Sequence, residues 1–138
     1  MKEAILLVDD DPDDLTWLQW ALEPLDLDVD TAGDGAQALG RLAARTYALI
    51  VMDLLMPAMN GFEAAQLIRE REKTRVTPIL FLSGFDEAQA RLLPGYVPLE
   101  AQFLRKPVSP EDVRAKVRER LGVTASAPSS RPPGSRAT

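Results

Sequence analysis

Hydrophobic positions along the chain follow two alternating rhythms. Short apolar runs give way to stretches in which apolar residues recur every three or four positions, the form that repeated strand–helix units take. Ile5-Leu6-Leu7-Val8 reads as a buried strand, and Asp11-Pro12 supplies a helix cap and a first-turn proline. The helix then runs to about Glu23, with Leu15, Leu18 and Leu22 on one face. Leu27 to Ala32 alternates as a half-buried edge strand does, and Gly33-Asp34-Gly35 turns the chain into a helix over Ala36 to Arg45. Ala48 to Met52 is apolar throughout, the mark of a central strand covered on both faces.

A loop from Leu54 to Asn60 ends at Gly61, where a helix to about Lys73 begins. Pro78 to Ser83 gives a fourth strand, and Asp86 to Leu93 has room for two helical turns before Pro94-Gly95 and Pro98 interrupt it. Gln102 to Arg105 is a fifth strand, and Ser109-Pro110-Glu111 opens a last helix to Leu121. Five such units joined by short loops predict an α/β fold, a five-stranded parallel sheet with helices on both faces. Residues 1–121 form that domain; 122–138, made of alanine, serine, proline, glycine and arginine, read as a disordered tail or linker.

Composition narrows the chemistry. With 138 residues, one core is expected, and neither cysteine nor histidine is present. Zinc fingers, thiol chemistry, Ser/His/Asp arrangements and phosphohistidine are thereby excluded, leaving carboxylates, hydroxyls and lysine. The net charge is −5, and since the tail holds two arginines and no acid, residues 1–121 carry −7. So negative a body repels phosphate backbones, so no nucleic-acid binding is expected of it. No apolar run reaches the ~20 residues of a membrane span and no signal-peptide layout opens the chain, so the expected address is the cytoplasm.

Parallel sheets bind ligands at the carboxyl ends of their strands. The first strand ends in Asp9-Asp10, the third in Asp53, the fourth in Ser83 and the fifth in Lys106-Pro107. Any one of these alone is unremarkable surface, and Asp11 serves as a cap. Together they bring three carboxylates, a hydroxyl and an ammonium to one edge. Carboxylates so clustered call for a hard divalent cation with oxygen ligands, which predicts Mg²⁺, with Mn²⁺ as a substitute.

The stretches Ile5 to Asp10, Ile50 to Gly61, Leu82-Ser83-Gly84 and Phe103-Leu104-Arg105-Lys106-Pro107 resemble, in order and spacing, the receiver domain of two-component response regulators. The resemblance covers roughly residues 3 to 121 and implies a flavodoxin-like (βα)5 fold. It implies that Asp53 accepts a phosphoryl group as a carboxylate nucleophile, giving an acyl phosphate. Asp10, Asp53 and the backbone carbonyl of Leu55 would bind Mg²⁺ directly and Asp9 through water. Lys106 would pair with a phosphoryl oxygen and Ser83 would hydrogen-bond another. Ser83 and Phe103 would form the switch pair, read out on the face of the fourth helix, fifth strand and fifth helix. Leu93 to Glu100, with its two prolines, departs from the family pattern there. The implied partners are a histidine kinase or phosphotransfer protein, an unidentified downstream protein, and a second copy in a homodimer. The resemblance leaves three cases open, a single-domain regulator, a receiver cut from a longer regulator, or the receiver of a hybrid sensor histidine kinase, and the Pro-Gly-bearing stretch before Phe103 resembles the last slightly more.

Two other readings fit parts of the chain. Gly33-Asp34-Gly35-Ala36-Gln37-Ala38 matches a dinucleotide-binding G-x-G-x-x-G/A, yet leaves Asp10, Ser83 and Lys106 unemployed. An aspartyl-phosphate hydrolase would need an acid two residues after Asp53, where Leu55 stands. Trp17 and Trp20 fall nearly opposite the leucine face of the first helix, so both are expected to point outward as a docking patch for the kinase.

Overall fold

The computed structural model describes residues 2–96 and 103–125, the last three by backbone alone. The elements alternate as β1 (Ala4–Val8), α1 (Pro12–Leu22), β2 (Asp28–Ala32), α2 (Gly35–Ala44), β3 (Leu49–Asp53) and α3 (Gly61–Glu70), then β4 (Ile79–Ser83), α4 (Glu87–Ala90), β5 (Phe103–Arg105) and α5 (Pro110–Ala125). Short 3₁₀ turns at Glu23–Leu25 and Glu72–Thr74 follow α1 and α3. All strand pairs are parallel, in the order β2-β1-β3-β4-β5. The chain first steps from β1 outward to β2, then returns past β1 to β3, so the strand order reverses between β1 and β3. A crevice opens at that point beyond the strand ends.

Alternate residues of the central strands feed two separate cores. Leu6, Val8, Ile50, Met52, Ile79 and Phe81 pack against α2 and α3 through Leu42, Phe62 and Ile68. Ile5, Leu7, Leu49, Val51, Leu80 and Leu82 pack against α1 and α5 through Leu18, Leu22, Val113 and Val117. Both faces of β1, β3 and β4 are therefore covered, which is why those strands are apolar without alternation while β2, at the edge, carries Asp28 and Asp30. Tyr47 and Arg45 tie that edge down: the Tyr47 hydroxyl donates to Asp30 at 2.5 Å, and the guanidinium reaches Asp28 and Asp30 at 2.5 and 3.0 Å.

Three sequence expectations shift. The last helix continues past Leu121 to Ala125, with Gly122 inside it, because nothing breaks the helix before Pro128. The fourth helix is a single turn, closed by a capping box between Asp86 and Gln89. Val97 to Glu100, Gln102 and the tail from residue 126 lie outside the described residues. Trp17 is not turned outward; it is half-buried against the α1–α5 core, while Trp20 is 58% exposed as expected. The reason is the reach of α5. Ala21 is fully buried and its carbonyl accepts a 2.7 Å hydrogen bond from Arg114, so the covered arc of α1 extends beyond the leucine stripe toward Trp17.

Candidate functional site

Four strand ends converge on the crevice. β1 delivers Asp9 and Asp10, β3 ends in Asp53, β4 in Ser83, and the chain leaving β5 carries Lys106. Carboxylate oxygens of Asp9, Asp10 and Asp53 lie within 4.8 Å of one another. Lys106 Nζ donates to Asp53 Oδ1 at 3.0 Å and lies 3.6 Å from Asp14 Oδ2. Lys106 is itself placed by the sheet, since its backbone N–H donates to Ser83 O at 2.7 Å.

Burial sets the electrostatics. Asp53 is 7% exposed, and burial pushes its pKa above the usual carboxylate value despite the hydrogen bond from Lys106. For Lys106 burial acts downward, but the bond to Asp53 and the charges of Asp9 and Asp14 outweigh it, so the ammonium is held above its usual value. An N–O distance of 3.0 Å fits the ion pair. Asp9 is the most strained electrically. It is 1% exposed, one oxygen accepts from the Asp11 N–H at 2.9 Å, and the other is buried with no partner. Burial raises its pKa from 3.8 to about 7, with the charge of Asp53 adding to the effect.

That orphaned oxygen bears on the expected cation. Two oxygens on one magnesium lie at most about 4.2 Å apart, because each bond is about 2.1 Å. The cluster is within an ångström of that span, offers oxygen ligands only, and includes in Asp9 a residue with a buried acceptor that has no hydrogen-bond partner. The donor set fits a hard divalent cation.

The loop after β3 is held close to the site. Gly61 N–H donates to Leu54 O at 2.7 Å, and a Cβ at Gly61 would meet Asp53 O and the Phe81 ring at 3.0 Å. Only glycine lets α3 begin so near the carboxylate strand. Asn60 caps α3, its Oδ1 accepting from Glu63 N–H at 2.9 Å, and its own backbone N–H donates in return to Glu63 Oε1 at 2.9 Å. Its Nδ2 also donates to Pro94 O at 3.0 Å. That bond ties the site loop to the segment after α4. Gly95, at φ +83°, lies against the Glu63 backbone, and the Tyr96 ring packs edge-on to Phe62 at 5.4 Å. Phe62 also meets Phe81 at 5.1 Å and Phe103 at 6.5 Å, so the aromatic of β5 joins the same cluster.

Ser83 is buried, and its hydroxyl is engaged by the next loop: it accepts from Phe85 N–H at 2.9 Å and donates to Phe85 O at 3.1 Å. Leu55 follows the strand end with its side chain 46% exposed. Three residues carry site contacts that sequence reading missed. Asp14 is the second partner of Lys106, Asn60 is a tie as well as a cap, and Tyr96 completes the aromatic cluster. Only Asp14 left a signal, one helical turn beyond Asp10 and Asp11.

The Gly33-Asp34-Gly35 turn serves another purpose than dinucleotide binding. Gln37 N–H is capped by Asp34, Gly33 N–H donates to Gln37 Oε1, and a Cβ at Gly35 would meet Met59 Sδ at 2.7 Å. Two of the donors a pyrophosphate would use are taken, and Gly35 is needed for packing.

Comparison with known proteins agrees with this geometry. The family model described as the response regulator receiver domain matches residues 5–118. The alkaline phosphatase synthesis transcriptional regulatory protein PhoP of Bacillus subtilis is 36% identical over 118 residues, 86% of this chain and 48% of that protein. The chain thus spans about half the length of that relative. Chemotaxis response regulator CheY4 of Vibrio cholerae superposes with a TM-score of 0.75 at 27% identity, covering 88% of this chain and 99% of that one. The receiver domain of a sensor histidine kinase from Pseudomonas aeruginosa PAO1, solved with magnesium coordinated in its active site cleft, gives 0.76 at 27% identity, with 88% and 99% covered. With the family model spanning most of the chain and the carboxylates, hydroxyl and lysine at their strand ends, this chain belongs to the response regulator receiver domain family.

Proposed function

We propose that the chain is a phosphoryl acceptor of a two-component system, Asp53 taking a phosphoryl group from a histidine kinase or phosphotransfer protein. The observation that carries this is the 3.0 Å pairing of Lys106 with Asp53 beside the Asp9–Asp10–Asp53 carboxylates. Asp53 Oδ attacks phosphorus as the P–N bond of the donor's phosphohistidine breaks, its electron pair leaving on the imidazole nitrogen, and the product is an aspartyl phosphate. Lys106, already on the nucleophile, follows the charge to a phosphoryl oxygen. Asp10, Asp53 and the Leu55 carbonyl would hold Mg²⁺, with Asp9 acting through water. When bound, the cation supplies positioning and neutralises phosphoryl charge. Ser83 would exchange Phe85 for a phosphoryl oxygen, and Phe103 would move within the aromatic cluster of Phe62, biasing partner binding.

Trp17 lines an open groove of 460 Å³ with Asp9, Asp14, Leu18, Leu82, Lys106, Pro107 and Val108. The groove runs to the Lys106 end of the site, and its apolar wall suits a helical surface presenting a phosphohistidine; the exposed Trp20 extends the patch. The second reading, the receiver of a hybrid kinase, is favoured by the likeness to a kinase receiver. Incubating the chain with a small phosphodonor and Mg²⁺ tests the assignment by intact mass. A gain of one phosphoryl group, lost in Asp53→Asn and reduced at least a hundredfold in rate in Lys106→Ala, is expected. Undiminished labelling of Asp53→Asn would overturn it.

A further inference from the structure

Lys106 serves two carboxylates. Its Nζ lies 3.0 Å from Asp53 Oδ1 and 3.6 Å from Asp14 Oδ2, so Asp14 stands across one ammonium from the nucleophile. Asp14 belongs to the first turn of α1, with its side chain 46% exposed on the rim of the groove walled by Trp17, Leu82 and Pro107. Helix capping does not need it: Asp11 is the cap, accepting from Asp13 N–H at 2.9 Å. An acid beside the path to an electron-rich reaction repels the incoming phosphoryl group, and that cost calls for a return elsewhere in the reaction.

Resting on the assignment of Asp53 as phosphoacceptor, we propose that Asp14 is a specificity-determining residue that selects donors by the charge of their leaving group. It favours N-phosphorylated donors, phosphoramidates and phosphoimidazoles, over acyl phosphates. In either reaction a bond forms between Asp53 Oδ and phosphorus. From an N-phosphorylated donor the P–N bond breaks, its electron pair goes to nitrogen, and the nitrogen base, protonated in the donor, leaves neutral. The departing group keeps part of the donor's positive charge in the transition state, so relative to the free donor the Asp14 carboxylate attracts it and raises the second-order rate constant. From an acyl phosphate the P–O bond breaks and its pair leaves on a carboxylate anion, whose growing charge Asp14 opposes. The apolar groove wall limits the screening of both effects by water.

A charge interaction of this kind at a partly wet site changes relative rates by about three- to tenfold. The test uses the whole chain with Mg²⁺ and measures phosphorylation rate constants for phosphoramidate and for acetyl phosphate, read by intact mass. Three proteins are compared: the parent, Asp14→Asn and Asp13→Asn, the last removing an exposed charge from the same turn. The ratio of phosphoramidate to acetyl phosphate rate is expected to fall three- to tenfold in Asp14→Asn and to stay at the parent value in Asp13→Asn. Equal changes for both donors in Asp14→Asn would show that the residue acts only through Lys106 and overturn the proposal. So would an Asp13→Asn variant that reproduces the shift in ratio. Failure of either donor to label the parent at Asp53 would instead overturn the phosphoacceptor assignment on which it rests. Matching thermal melts of the three proteins separate these outcomes from misfolding.

Discussion

Asn60 joins two parts of the molecule that chain connectivity leaves apart, and removing it should be costly for two separable reasons. Its Oδ1 and backbone N–H form the reciprocal capping box with Glu63, and its Nδ2 holds Pro94 O at 3.0 Å. Losing an N-cap costs about 1 kcal/mol. Losing a hydrogen bond and leaving the Pro94 carbonyl short of a donor costs about another 1 to 2 kcal/mol, because Asn60 is only 8% exposed and water does not fully replace it. Asn60→Ala is therefore expected to destabilise by about 2 to 3 kcal/mol in urea unfolding. Asn60→Ser keeps a capping oxygen but is too short to reach Pro94, so about 1 to 2 kcal/mol should be lost. The two variants partition the effect. If Ser and Ala are equally destabilised, the cap contributes nothing; if Ser matches the parent, the tie to Pro94 contributes nothing, and the view that it docks the segment after α4 is wrong. A third check is Tyr96 fluorescence anisotropy in a Trp17→Phe/Trp20→Phe/Tyr47→Phe background, which leaves Tyr96 as the sole tyrosine of the sequence and should fall in both variants as the ring loosens from Phe62.

Two further perturbations probe the site itself. Gly61→Ala places a methyl 3.0 Å from Asp53 O and the Phe81 ring, so a loss of about 1 to 3 kcal/mol is expected from thermal or urea unfolding, and an unchanged midpoint would show that the approach is looser than described. Asp9 titrates near 7 in the folded chain against about 3.8 unfolded, so the folded state holds the extra proton between those values. By linkage the metal-free protein should lose stability as pH rises from about 4 to 7 and level off above, and Asp9→Asn should remove that part of the slope when unfolding is followed in chelator. An identical slope in the variant would place the raised titration elsewhere.

Much of the molecule was legible before any coordinates. Hydrophobic rhythm is local, so the alternation of strands and helices, the burial of Ile5 to Val8 and Leu49 to Met52 on both faces, and the shortness of the helix in the Asp86 segment followed from residue order alone, though not its reduction from two turns to one. The site was legible for a related reason. In a parallel sheet every strand points the same way, so Asp9, Asp10, Asp53, Ser83 and Lys106 had to share one edge whatever the details of packing. Helix ends were less secure, as Gly122 shows: a residue that usually stops a helix was carried through because nothing nearby competed.

What the sequence could not supply were the contacts between elements distant in the chain. Trp17 looked outward on a helical wheel because a wheel knows one partner surface; α5, approaching Ala21, created a second. Asp14 carries no role in the sequence pattern, and only the fold brings Lys106, ninety-odd residues later, within 3.6 Å of it. The bond from Asn60 to Pro94 and the meeting of Phe62, Tyr96 and Phe103 depend on how α3 and the segment after α4 settle on β4 and β5. Periodicity and strand direction are properties of a residue's neighbours in sequence, and they fixed the layout and the edge where chemistry collects. Pair distances and burial are properties of the packed whole, and they alone decided which acid Lys106 shares, which oxygen of Asp9 is left without a partner, and which tryptophan faces water.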